Sequence, residues 1–169
     1  GHKWLLGPEG FGIFYCRRER IETLANCVLG WIGVEHPSDY ERTDQPWIVE
    51  ARRFEEGGHN LIGAVGLASS VELLLEIGIE QVERRILALT RRLVDGLKER
   101  KCEVFTPTED HLRLGIVSFR QPTEPTDSLF ARLKAKKFVV AQRRGWIRVS
   151  PHVYNTEEQI DAFLEALDL

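Results

Sequence analysis

The 169-residue sequence has no methionine. A natural translation product starts with one, so the chain, opening at Gly1, is expected to be a fragment of a longer protein. Cysteine is scarce. Cys16, Cys27 and Cys102 are an odd set without metal-ligand spacing, which speaks against a disulfide framework and suggests reduced thiols in a cytoplasmic protein. His2, His36, His59, His111 and His152 show no close ligand spacing either, so no metal site is expected. No apolar run approaches the ~20 residues needed to span a bilayer, so no membrane partner is expected. The formal net charge is -3, and the longest basic runs are Arg143-Arg144 and the stretch from Lys134 to Lys137. That disfavours nucleic acid as a partner.

What is present is ordinary for a soluble globular chain with one real core: 43% hydrophobic and 29% charged residues. Residues 11–16 follow a Gly/Pro turn and read as a buried strand. Residues 17–25 read as a short helix, and residues 30–52, with Gly30, Gly33, Pro37 and Pro46, as a long ordered loop. Residues 61–76 are apolar on nearly all sides, which predicts a helix buried on several faces. Ile79, Val82, Ile86, Leu89, Leu93 and Leu97 fall in steps of three and four, an amphipathic helix over 79–100.

Beyond residue 101 the order predicted is strand (102–105), strand (114–119), helix (126–136), strand (138–141), strand (146–150), helix (156–167). That is an α+β module with a small, mostly antiparallel sheet. Thr156 and Gln159 fit a capping box at the last helix. The first 60 residues hold one strand only, which cannot bury both its faces alone. Exposed apolar surface is therefore expected near residues 11–15 and on the 61–76 helix.

Three segments carry candidate chemistry. The chain opens Gly1-His2-Lys3-Trp4-Leu5-Leu6-Gly7-Pro8-Glu9-Gly10-Phe11-Gly12. Residues 52–60 read Arg-Arg-Phe-Glu-Glu-Gly-Gly-His-Asn, a Gly-rich turn before a helix, where free N–H groups can meet an anion. Residues 143–158 read Arg-Arg-Gly-Trp-Ile-Arg-Val-Ser-Pro-His-Val-Tyr-Asn-Thr-Glu-Glu. Arg148 lies within an apolar strand, where its rigid fork of donors suits a carboxylate. The alternative is that Arg148 pairs with an internal carboxylate, that Asn60 only caps a helix and that Tyr154-Asn155 only fixes a turn.

Over its whole length the chain resembles the second half of the class V aminotransferase family, the pyridoxal-phosphate enzymes of fold type I that include cysteine desulfurases and isopenicillin-N-epimerase-like proteins. The resemblance implies an α/β to α+β fold: residues 1–78 a remnant of the large cofactor-binding domain with part of its sheet, 79–100 a connecting helix, 101–169 the small C-terminal α+β domain.

It implies pyridoxal 5′-phosphate as cofactor of the intact parent, an amino acid as substrate, and Lys3 as the catalytic residue that joins the cofactor aldehyde and carries a proton at the substrate Cα. His2, Gly58 and Asn60 become cofactor-binding candidates, the last two toward the phosphate across a dimer interface, with Gly58 standing where the family usually has Thr. Arg148 becomes the α-carboxylate ligand and Arg143 a second candidate.

Transamination, epimerisation and C–S lyase chemistry all remain open. The family's desulfurases carry a nucleophilic Cys on a loop between an Arg-x-Gly step and the carboxylate-binding arginine. Gly145 is followed almost at once by Arg148, which leaves no room for that loop and points to the epimerase-like branch. The fragment alone is expected to be inactive, its partner being a second copy of the parent or the missing N-terminal half. A non-catalytic α+β module, or one half of a split enzyme, is the rival reading.

Overall fold

The structure, a computed structural model, describes residues 1–28 and 30–168. Its contacts divide the chain into two compact units, Gly1–Leu73 and the part from Leu74 onward. No single helix among the described residues is long and apolar enough to cross a membrane.

The first unit is mostly irregular. Helix α1, Arg18–Ile21, is a single turn with Ile21 buried. The expected strand at 11–16 does not form; Ile13, Phe14 and Tyr15 are exposed. The reason is the one that limits any lone strand: among the described residues no neighbour offers it a ladder. The loop predicted over 30–52 is ordered, and its order continues to Phe54. Short 3₁₀ turns at Trp31–Gly33 and Ala51–Phe54 pack together, and Val34 bridges Trp47. The Gln45 side chain ties the loop internally. Its Nε2 donates to the carbonyls of His36, Asp39 and Arg42 at 3.0–3.2 Å, while its Oε1 accepts from the His36 N–H at 2.8 Å. Gly30 is required where the backbone passes against Glu55 and Glu56, because a Cβ there would collide with main-chain atoms.

Helix α2, Leu61–Ile77, explains its own glycines. Gly63 and Gly66, one turn apart, lie against Phe11 and Pro8, and Leu67 sits under Gly1 and Gly7. Small residues on that stripe let the opening loop lie close to the helix backbone. The helix is not buried on several faces: Leu61, Ile62 and Val65 are exposed, as are Leu73 and Leu75. Exposed apolar surface therefore appears at both places where the sequence predicts it.

The second unit follows the predicted order closely. Helix α3, Ile79–Glu99, lays Leu89, Leu93 and Leu97 into the core. Four antiparallel strands, β1 Glu103–Val104, β2 Val117–Arg120, β3 Ala141–Arg143 and β4 Trp146–Val149, form one sheet in the order β1-β2-β4-β3. Val117, Phe119 and Ile147 of one sheet face join α3, α4 (Thr126–Ala135) and α5 (Glu157–Glu165) in a single core, with Leu129, Leu133, Ile160 and Phe163 filling it.

Strand β3 starts three residues later than predicted, because residues 137–140 close α4 instead. Lys137 turns at φ 66°, the Phe138 N–H donates to the Leu133 carbonyl at 3.0 Å, and Phe138 and Val140 pack on the core. The capping box forms as expected. Thr156 Oγ1 accepts from the Gln159 N–H at 3.3 Å and Gln159 Oε1 accepts from the Thr156 N–H at 3.1 Å.

Candidate functional site

In the first unit Lys3 begins a tight turn. The Leu6 N–H donates to the Lys3 carbonyl and the Gly7 N–H to the Gly1 carbonyl, both at 3.0 Å, and the terminal ammonium of Gly1 donates to the Phe11 carbonyl at 3.0 Å. These bonds hold the opening residues in a closed loop over Leu67. His2 and Lys3 stand exposed on it, and the Lys3 amine has no hydrogen-bond or ion-pair partner among the described residues.

The turn at 57–60 is tied to the same loop. Asn60 Nδ2 donates to the Gly10 carbonyl at 3.2 Å, while its Oδ1 accepts from the Gly63 N–H at 2.9 Å and so caps α2. The Asn60 amide is thus engaged at both ends, and sequence reasoning missed the link to Gly10. Nothing crowds Gly58: a Cβ there would meet no atom within 4 Å. His59 Nδ1 lies 3.5 Å from the Glu55 carboxylate.

In the second unit the sheet has one face on the helices and one outer face. Alternation along each strand and the observed register place two cross-strand rows on the outer face. One runs Glu103, Arg120, Trp146, Arg143; the other runs Phe105, Ser118, Arg148, Ala141. Arg148 therefore stands between two small side chains, Ser118 and Ala141. Its Nε is buried without a hydrogen-bond partner, and no carboxylate among the described residues pairs with its guanidinium. Among the described residues the internal ion pair that is the alternative for Arg148 does not form.

In the neighbouring row Glu103, Arg120 and Trp146 are engaged. Arg120 pairs with Glu103 at 2.6 Å and lies 4.7 Å over the Trp146 ring, and the Phe105 and Trp146 rings are 5.1 Å apart. Arg143 is exposed at the end of β3 and donates only weakly, at 3.4 Å, to the Gln142 carbonyl. Pairing partners across strands depend on register, which no single strand spells out, so these neighbours of Arg148 were not legible in sequence.

Arg143 and Trp146 are paired across a two-residue turn in which Arg144 and Gly145 both take positive φ, 49° and 80°. This is a type I′ hairpin. It leaves no chain for a loop at that point. The Tyr154-Asn155 segment does fix the next turn. Asn155 Oδ1 accepts from the His152 N–H at 2.8 Å and the His152 ring stacks on Tyr154 at 5.3 Å. Cys102 is buried in the core, and burial pushes its thiol up from the ordinary range, so it is a poor nucleophile.

Each unit, taken by itself, holds groups that suit a phosphorylated aldehyde cofactor or a carboxylate ligand. They comprise an unpartnered primary amine, an uncrowded glycine turn before a helix and an unpaired guanidinium between small side chains. Among the described residues no cluster of His, Cys, Asp and Glu could hold a metal ion.

Comparisons with known proteins identify the family. The family model described as aminotransferase class-V matches residues 1–163. A probable cysteine desulfurase of Pyrococcus abyssi is 29% identical, the match covering 99% of this chain and 44% of that protein. The structure of a cysteine desulfurase from Thermococcus onnurineus NA1 superposes with a TM-score of 0.90 at 28% identity, over 99% of this chain and 44% of that one. The fold is shared as well with a C-DES mutant carrying glycine covalently linked to its PLP cofactor, at TM-score 0.86 and 20% identity, over 98% of this chain and 44% of that one. The chain thus spans less than half the length of the curated relatives it matches. A family of enzymes matched over nearly the whole chain speaks against a non-catalytic module. The sequence, the fold and these likenesses together show that the chain belongs to the class-V aminotransferase family, whose cofactor is pyridoxal 5′-phosphate.

Proposed function

We propose that this chain supplies the cofactor lysine and the substrate-carboxylate arginine of a pyridoxal-phosphate enzyme that acts at the Cα of an amino acid. Arg148 carries the reading: a guanidinium half-buried between Ser118 and Ala141, with a buried Nε lacking any partner, is a charge waiting for an anion. An α-carboxylate matches its fork of donors.

In this reading residues 1–78 belong to the large domain, α3 connects, and residues 101–169 form the small domain. The cofactor, when bound, offers an aldehyde for the substrate amine and a ring that draws electrons from Cα. Lys3 holds the cofactor and then takes or returns the Cα proton. Arg148 fixes the carboxylate and so sets which Cα bond faces the lysine. Gly58 presents its N–H toward the phosphate, with Asn60 holding the turn rather than touching the ligand. His2 flanks the cofactor beside Lys3, and Arg143 is left as a peripheral cation. A homodimer of the full protein, located in the cytoplasm, is part of the same reading and suits the three free thiols.

Within the family's chemistries, cleavage of a Cβ–S bond without a protein thiol is favoured over relay through a protein persulfide. The match to the Pyrococcus relative runs over 183 positions against a chain of 169 residues, so that relative has at least 14 residues, 183 minus 169, that this chain lacks. The two-residue turn at Arg144-Gly145 is where the sequence shows no room for a thiol-bearing loop. Transamination and epimerisation use the same lysine and arginine.

The test is the affinity of the full-length, cofactor-loaded protein for α-amino acids. Arg148→Ala should weaken it by about 2–5 kcal/mol, with Arg148→Lys intermediate. Unchanged affinity in Arg148→Ala would make Arg148 a structural residue and remove the reading.

A further inference from the structure

The outer sheet face holds a second feature beside Arg148. Trp146, two residues before it on β4, projects from the same face, and the register sets Phe105 two strands away from Arg148 with only Ser118 between them. The Trp146 and Phe105 rings nevertheless meet at 5.1 Å, so they close diagonally over the small Ser118 position. Arg120 holds the indole from the other side, 4.7 Å over the ring, and is itself neutralised by Glu103 at 2.6 Å. The result is an aromatic pair fixed beside an unpaired guanidinium. Phe105 remains largely exposed, so the pair is a surface rather than part of the core.

Resting on the carboxylate role of Arg148, we infer that Trp146, with Phe105, is a specificity-determining wall that receives the substrate side chain and favours an apolar one, aromatic or sulfur-bearing. A carboxylate gripped by Arg148 leaves the side chain of an amino acid only a few bonds away. The neighbours fixed by register offer it two small residues and this one aromatic surface. Flat rings and thioethers both gain by packing on an indole. A second carboxylate on the ligand finds no free donor in that row except the peripheral Arg143, since Arg120 is already paired.

Unreactive acids test this without turnover. Acetate and phenylacetate share a carboxylate and differ in one ring, and their binding to the chain can be followed by the backbone amide signals of Ser118 and Ala141. The wild type should bind phenylacetate roughly 3–10-fold more tightly than acetate. Trp146→Ala should bring that ratio near one and leave acetate affinity unchanged. Trp146→Phe, which keeps a ring in place, should retain part of the preference and guards against a variant that fails to fold. Arg148→Ala should weaken both acids alike. If Trp146→Ala and Trp146→Phe keep the full phenylacetate preference while Arg148→Ala weakens both acids, the wall is refuted and the carboxylate role stands. If Arg148→Ala changes neither acid, or the wild type binds neither, the carboxylate role falls and the wall with it.

Discussion

Arg143 and Trp146 face each other across β3 and β4 with only Arg144 and Gly145 between them. That pairing fixes the register of β4 against β3, so Arg148 lies opposite Ala141, while the separate pairing of β4 with β2 sets Ser118 on its other side; the turn also closes the chain where a longer loop would otherwise emerge.

The turn makes a direct prediction. Gly145 sits at φ 80°, where a side chain strains the backbone, although there is open space for a Cβ. Gly145→Ala should therefore destabilise the second unit by about 1–2 kcal/mol through backbone conformation alone, read as a lower urea midpoint with an unchanged slope. An unchanged midpoint would mean the turn is not held in this conformation.

Glu124 predicts a pH effect. Its carboxylate accepts from Arg132 at 2.6 Å and from the Ser128 hydroxyl at 2.7 Å, and the Arg132 guanidinium also donates to the Ala166 carbonyl at the end of α5. The Arg132 hydrogen bond is the main cause holding the Glu124 carboxyl below its ordinary value, against a smaller opposing effect of burial. A depressed carboxyl stabilises the fold fully above the unfolded value, about 4.3, and that stabilisation is lost as pH falls through the folded one. Glu124→Gln should be less stable than wild type by about 1–2 kcal/mol at neutral pH, and the gap should close in acid. A gap that stays constant down to acid pH would show that charge plays no part.

Asn60 predicts a coupling between the opening loop and α2. Asn60→Ala removes the helix cap and the bond to Gly10 together, an expected loss of about 1–2 kcal/mol. Amide exchange should then speed up at Leu6 and Gly7 as well as at Gly63. Faster exchange confined to Gly63 would show that the cap acts alone.

The second unit was legible in the sequence because its signals are local. Steps of three and four along 79–97, the Thr156 and Gln159 capping box, and the Arg-Gly step between two apolar runs each specify their own element. The first unit was less so. Residues 11–15 have strand composition, but a strand exists only with a neighbour, and none of the described residues provides one. The glycines of α2 looked like general burial. They are instead a stripe against Pro8 and Phe11, and the contact between Phe11 and Gly63, 52 residues apart in sequence, is one that no local pattern announces. Among the candidate residues, Lys3 and Arg148 stand out by the sequence segments they lie in, each within its own unit. The neighbours of Arg148, namely Ser118, Ala141 and Phe105, follow from register, which is a property of the assembled sheet.

The central claim is that Lys3 is the lysine that binds the cofactor, and covalent mapping tests it most directly. The full-length protein loaded with pyridoxal phosphate is treated with borohydride, which fixes the cofactor to the amine it occupies, and the peptides are weighed. The account predicts the added mass on the opening peptide at Lys3, absent in Lys3→Ala, whose fold is unchanged. The added mass on another lysine, with Lys3 unmodified, would contradict it.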